Sequence, residues 1–498
     1  MSKNGCKRPV LIKDKFKSSF VGLCGIILGV SSVYRISNFS VYLTSYIHEK
    51  QDFVTMHYGL FINLIFSFAM TFGMSAGGFL ELKLGFFLTT LTGLIIVLVS
   101  NIFFLNVQNI WLCYILTFTT STGLGIAYSL VGKNLVLYKP NKKGLLISAI
   151  MAIMNLFAGI YSFLGEKLIN PDGYTLKENE EYYQYKYSSK TYLFFLLSFF
   201  SIPIGSTIFL LFTVEYKKDN KELNIEEEST KNKEEIQGNN EVNINEENNI
   251  EDDNKINDDK KDKEENILDK EIKTMNKKKN IKKVIKTFRF WRLSFVELFL
   301  SFSFSFILGT SRTFGAIIGI EGKALQLLML FQSGALIIVG PILGILVDKK
   351  GPLIFLRIAA VICMIPGVLL TFFVKNTVIF TCSFIISILG LVSNITCFTP
   401  FIMEVYGIQE SVILGGVMNI FAKLSEITTT VLAFVISVFY SKEEIIRPYQ
   451  LMYLIGSGFC LLSFILLIFE NNQKYEYEQE EDLGDLVEKG RFIELGVY

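Results

Sequence analysis

Three basic residues stand inside apolar runs of this chain: Arg35, Arg312 and Lys423. A charge at mid-bilayer costs about 3 kcal/mol on insertion scales, so it persists where it faces a water-filled cavity or a partner. A guanidinium pairs bidentately with a carboxylate, and dehydration strengthens the pairing. The chemistry on offer is recognition of a small anion. Each cation lies on a polar stripe at helical spacing: Ser31, Arg35, Asn38 and Tyr42; Ser301, Ser305 and Arg312; Asn419, Lys423, Glu426 and Thr430. Such offsets put side chains on one face of a helix. Bland readings stand beside this one. Arg35 can pair with protein carbonyls, Arg312 can snorkel to an interface, and Lys423 can be neutralised by Glu426 three residues on. Protonation of Glu426 would turn that last pair into a coupling site, and Glu297, one turn into its run, is a second proton-coupling candidate. Tyr34, Tyr42, Asn38, Tyr128, Asn155, Gln332 and Asn394 can hydrogen-bond a ligand or stitch helices together.

Other chemistry finds no support. There is no phosphate-cradling glycine loop with a lysine, no nucleophile–histidine–acid arrangement and no metal-ligand cluster, so neither enzyme activity nor a cofactor is expected. His48 and His57 flank the first loop and read as surface residues. The seven cysteines contain no Cys-x-x-Cys. The basic start, Met1 to Lys17, does not read as a cleaved signal peptide.

The elements that must position these residues are membrane spans. The chain has 498 residues, 51% of them hydrophobic, with mean hydropathy +0.41. Apolar runs of about 18 residues recur and predict spans. Six fall near 20–46, 55–78, 86–106, 110–131, 145–166 and 191–213. Six more fall near 292–317, 325–347, 353–374, 377–403, 411–439 and 448–469. The expected organisation is an N-terminal tail (1–19), a six-helix bundle (20–214), a disordered charged linker (215–286), a second six-helix bundle (287–470) and an acidic tail (471–498). The net charge of +1 averages over these unlike regions and points to no nucleic-acid partner. Bases near span ends, from Lys7 to Lys17, at Lys83, at Lys133 to Lys143 and at Lys349 to Arg357, fall on one side of a twelve-span chain. That side, both tails and the linker are expected in the cytosol.

A motif occurs twice. Gly78-Phe-Leu-Glu-Leu-Lys-Leu-Gly85 and Gly344-Ile-Leu-Val-Asp-Lys-Lys-Gly351 lie 266 residues apart, each in an expected turn between two spans. Repeated turns in two hydrophobic halves mark a transporter built from repeats. Both turns resemble motif A of the major facilitator superfamily, G-x-L-a-D-r-x-G, matched in full by Gly344, Leu346, Asp348 and Gly351. In the first half Leu82 holds the acidic position and Glu81 precedes it. The resemblance implies an all-α membrane fold of twelve helices in two pseudo-symmetric bundles. It also implies a gating role for the motif residues Gly78, Glu81, Lys83, Gly85, Gly344, Asp348, Lys349 and Gly351. The family's acidic residue helps hold the inward-closed arrangement, a contact left to Glu81 in the first half.

Three further stretches resemble the oxalate–formate antiporter and monocarboxylate transporter group. They are Gly29-Val-Ser-Ser-Val-Tyr-Arg-Ile-Ser-Asn-Phe-Ser-Val-Tyr42, Gly123-Leu-Gly-Ile-Ala-Tyr128 with Lys142-Lys-Gly144, and Pro400-Phe-Ile-Met-Glu-Val-Tyr-Gly407. Arg35 falls within one residue of a span 1 lysine that serves substrate and proton in monocarboxylate transporters, and Lys423 shares span 11 with a dianion-binding lysine of the antiporter. The span 8 arginine of both families is missing, and Arg312 is the residue left to replace it. The expectation is a secondary transporter of a small organic anion, antiporter or proton symporter, acting as a monomer in a plasma or organelle membrane. A carrier of a neutral or zwitterionic solute, and a nontransporting membrane sensor or scaffold, are the alternatives.

Overall fold

The computed structural model describes residues 14–34, 36–54, 58–172, 182–215, 281–318, 320, 322–373, 375–440, 444 and 446–470. The side chains at 32–34, 36–38, 60, 309, 311–313, 316–317, 322–330, 332–333, 409 and 437–438 are also outside the description. Described secondary structure is helical throughout. α1 (Lys15–Tyr34) and α2 (Ile36–His48) lie on either side of Arg35. α3 (Tyr58–Leu84), α4 (Phe86–Phe104), α5 (Ile110–Tyr138), α6 (Lys143–Ile169), the short α7 (Tyr185–Ser188) and α8 (Tyr192–Phe212) complete the first half. α9 (Phe288–Ile317), α10 (Gly322–Lys350), α11 (Pro352–Phe373), α12 (Thr377–Tyr406), α13 (Ile408–Phe439) and α14 (Ile446–Ile468) form the second. Among the described residues, ten helices are long and apolar enough to cross a membrane. The first expected span includes Arg35, outside the description, and the eighth includes side chains outside it.

Several helices outrun the apolar stretches that announce them. The fourth expected span stops near 131, whereas α5 continues to Tyr138. It can do so because Lys133 is held by Glu81, Nζ to Oε2 2.7 Å, so the charge is compensated inside the bundle. α3 likewise continues through Glu81 and Lys83 to Leu84. The expected turn of eight residues therefore contracts to Gly85 alone, at φ 78° and ψ 171°. That backbone region is essentially reserved for glycine. Gly351 (φ 84°) repeats the link between α10 and α11, and Gly407 (φ 85°, ψ 155°) makes a third between α12 and α13. Asn109 and Asn376 start α5 and α12 by accepting from backbone N–H groups of Trp111 and of Val378 and Ile379.

The apolar cores follow the two halves. One is built from α1 to α8, where α1 packs on α8 and α3 on α5. The second half packs α11 on α12 and α14, and α9 on α13 and α14. The halves meet along two seams, α6 with α10 and α3 with α13. Large apolar side chains such as Phe163, Ile338 and Val378 point outward, 64%, 65% and 69% exposed, as a lipid-facing surface requires.

Candidate functional site

The described mid-helix charges converge on α9, α12, α13 and α3. Lys423 and Glu426 lie one turn apart on α13 and bond directly, Nζ to Oε2 2.7 Å. The ammonium is therefore engaged, as the three-residue spacing allows. The other oxygen of Glu426 accepts from the Ser67 hydroxyl of α3 at 3.2 Å, a link between the halves. Glu297 of α9 is buried, 5% exposed, and faces Asn394 of α12. One amide nitrogen, Asn394 Nδ2, donates to both carboxyl oxygens at 3.2 Å. Asn394 Oδ1 is buried without a partner. The sequence separates these two residues by 97 positions, so no periodicity could have joined them.

The remaining expected ligand residues divide into three groups. Arg35 lies outside the described residues, and the side chains of Tyr34, Asn38, Arg312 and Gln332 lie outside the description as well. Tyr42, on the polar stripe of the first span, is 3% exposed and hydrogen-bonded within the protein. Its hydroxyl donates to Glu166 Oε1 at 2.6 Å and accepts from Asn170 Nδ2 at 3.1 Å. Its ring lies 4.2 Å from that of Tyr183. Glu166, at the end of α6, supplies the acceptor, and nothing in the spacing of α2 announces it. Tyr128 donates to Met151 Sδ at 3.1 Å, and Asn155 Nδ2 returns to the Met151 carbonyl at 2.9 Å. Both are polar groups of the α5–α6 contact.

Tyr42 belongs to a tyrosine clasp. Tyr182 stacks flat on His48, with centroids 3.8 Å apart, and the Tyr183 N–H donates to Ser45. His48 thus packs between chain segments and is only partly exposed. His57 lies outside the described residues. Lys186 and Tyr187 close the loop on Asp172, whose carboxyl they hold below the usual carboxylate range.

The opposite, basic end carries the gating motif and joins the halves. Asp348 of α10 accepts from the first N–H groups of α6, Gly144 at 2.7 Å and Leu145 at 2.9 Å. These N–H groups have no intrahelical partner, and the N-terminus carries positive partial charge. Lys143 pairs with Glu404 at the end of α12, 2.7 Å. On the other seam, a Cβ at Gly78 would meet Ile413, and Leu82 packs into the core of the second half. Glu81 does not take over the missing acidic contact, because it is spent on Lys133 of its own half. Lys83 and Lys349 end their helices as favourable charges at a C-terminus. The molecule is closed at this end.

The family model of the Major Facilitator Superfamily matches residues 26–430. No curated protein matches the chain. Solved structures do. One is the transporter FucP, a fucose:proton symporter of E. coli, in the outward conformation, with TM-score 0.59 and 14% identity over 93% of this chain and 100% of that one. Another is the proton:xylose symporter XylE, with TM-score 0.60 and 11% identity over 91% and 94%. A third is the human organic anion transporter MFSD10 (TETRAN), with TM-score 0.55 and 12% identity over 91% and 98%. At these identities the likeness shows the fold.

Proposed function

We propose that this chain, which belongs to the Major Facilitator Superfamily and is a multi-pass membrane transporter, moves a small organic anion by alternating access, a mono- or dicarboxylate above all. Arg35 carries this reading. From Lys15 to His48 the sequence holds no acidic residue to neutralise it. The acidic residues within α3 and α6 are engaged elsewhere, Glu81 by Lys133 and Glu166 by Tyr42. An arginine inside an apolar run that holds no acidic residue suits an anionic solute. Arg312 would support it. Lys423 supports it less, since Glu426 already neutralises it. That same pair favours a second reading, a carrier of neutral or zwitterionic solutes in which the arginines bond to protein.

The lysines at the closed end support a cytosolic position for that end, with both tails and the linker, by the positive-inside rule. The testing experiment is the thermal stability of the purified chain against carboxylates and neutral metabolites. A ligand that binds only the folded state raises apparent stability, by about 2.7 kcal/mol at a hundred times its Kd. A carboxylate that stabilises the wild type and not Arg35→Ala establishes the anion site. Stabilisation by neutral compounds alone moves the arginines to structural roles. Undiminished carboxylate transport by a folded Arg35→Ala variant removes Arg35 from the site.

A further inference from the structure

The Glu297–Asn394 pair is built for a carboxylic acid rather than for a carboxylate. An ionised carboxylate only accepts, and its two oxygens offer about four acceptor sites. Buried in α9, Glu297 receives one amide nitrogen shared between both oxygens, with each contact at 3.2 Å. Charge-assisted hydrogen bonds are shorter, about 2.8 Å. The amide's own acceptor, Asn394 Oδ1, is buried and unpartnered. Both deficits vanish if the carboxyl carries a proton. A small rotation of the amide then lets the acid O–H donate to Oδ1 while Nδ2 donates to the other carboxyl oxygen. The result is a closed ring of two hydrogen bonds with no buried charge.

Among the described residues, one group reverses this preference. From α13, the ammonium of Lys423 acts on Glu297. That ammonium is bonded to Glu426, which Ser67 of the other half also holds. From α12 comes the neutral Asn394. From α14, the Ser463 hydroxyl is spent on the Val296 carbonyl. From α11, the Cys363 thiol faces Cys460 of α14. Among the α10 residues whose side chains are described, the first titratable one is Asp348, committed to α6. One ammonium thus serves two carboxyl groups, and these three groups, all ionised, would together carry one net negative charge.

We propose that Glu297 and Asn394 form a proton-binding site that is occupied while Lys423 is held by Glu426. The proton is thus the ion coupled to transport. Separation of α3 from α13 breaks the Ser67–Glu426 link and loosens the hold on Lys423. The ammonium can then stabilise the Glu297 carboxylate, and the proton leaves to water. The inference rests on the transport reading above but not on the solute being an anion.

The test is infrared spectroscopy of the full-length chain near neutral pH, with Glu297→Gln as reference. Glutamine keeps the ring, since its amide donates to Asn394 Oδ1 and accepts from Nδ2, so this variant folds. The expected result is a protonated-carboxyl C=O band in the wild type that is absent from Glu297→Gln. In Lys423→Gln the band should survive at a pH where the wild type has lost it. A wild-type spectrum without such a band overturns the proposal. Proteoliposomes with an internal pH dye, challenged with acetate, lactate and oxalate, separate this failure from that of the anion reading. Solute-driven proton entry that is lost in Glu297→Gln, with solute exchange retained, supports the coupling. Carboxylate uptake with proton entry unchanged in Glu297→Gln overturns it. If the band is present and only neutral solutes drive proton entry, the proton site stands and the anion reading falls.

Discussion

Asp348 caps a helix that belongs to the other bundle. Its two oxygens take the Gly144 and Leu145 N–H groups, so the contact exists only while the basic end is closed. Losing such a cap costs about 1 kcal/mol, and losing a carboxylate at a helix N-terminus costs up to about 1 more. Asp348→Ala should therefore lower the closed-to-open ratio by roughly thirtyfold, at 1.4 kcal/mol per factor of ten. Spin labels at the basic ends of α6 and α10 will read the change as a shift toward longer distances. Glu81 gives the contrasting expectation. It bonds Lys133, whose side chain is 8% exposed, within the same half. Glu81→Ala leaves that ammonium buried and unpaired, at a cost of about 3 kcal/mol of stability. Because both partners lie in one bundle, the closed population should not move. Equal shifts for the two variants would remove the distinction between gate and scaffold. The spacing of three residues made the Lys423–Glu426 pair readable in sequence. Tyr42–Glu166 and Glu297–Asn394 are 124 and 97 residues apart, and tertiary packing alone creates them.

Three helix pairs are joined through single glycines, which makes each pair one rigid bent element. Gly85, Gly351 and Gly407 hold positive φ where a Cβ is strained, at about 1 to 3 kcal/mol for a non-glycine residue. A Cβ at Gly85 would meet nothing within 4 Å, so Gly85→Ala isolates the backbone cost. Its expected effect is a loss of about 2 kcal/mol in thermal stability; an unchanged transition would show that the link relaxes freely. Two of these links were visible in the repeated motif. The third was not, because Pro400 to Gly407 keeps only the final glycine and an acidic residue, Glu404, where Asp348 stands, and lacks the first glycine, the leucine and the basic residue. Hydropathy found the helices and missed their ends, since α3 and α5 continue through charges that pair with each other. A paired charge also lies just beyond the end of α14. Glu470, its side chain fully buried, receives Arg289 and Arg292 of α9, the first at 2.5 Å. Arg357 of α11 donates to the carbonyls of Leu467, Ile468 and Glu470, which have no intrahelical partner. Glu470→Gln leaves two guanidinium groups facing each other and should cost about 3 kcal/mol. A thermal transition that rises in Glu470→Gln would mean that the burial of this cluster costs more than its pairing returns.

Two similar halves meet through unlike seams. The repeat predicts equivalence, and the all-helical paired-bundle architecture was legible from it, but Leu82 stands where Asp348 stands in the other half. At the basic end one seam is consequently polar, α10 onto α6, and the other apolar, with Leu82 entering the second core and Val412 packing on the first, the Ser67–Glu426 bond lying further along it. Closure at the basic end thus depends on a directional contact along one seam and on shape along the other. Shape decides at the polar seam too. A Cβ on Gly144 would lie 2.7 Å from the Gly344 carbonyl oxygen and 2.9 Å from Asp348 Oδ1. Both are tighter than carbon and oxygen tolerate, and the obstruction is backbone on one side, so a local rotamer change cannot relieve it. Gly144→Val should therefore fold, because each bundle keeps its own core, yet fail to close at this end. A cysteine placed on the bundle-facing side of α10, one turn before Gly344, will report this. Labelling by a membrane-impermeant reagent from the basic side should be slow in the parent and fast with Gly144→Val, while solute transport stops in either direction. Asp348→Ala, which weakens the same seam without blocking it, should speed labelling partway and leave transport measurable. If Gly144→Val labels as slowly as its parent, the bundles can close without the α6–α10 approach, and the apolar seam alone sets the closed state.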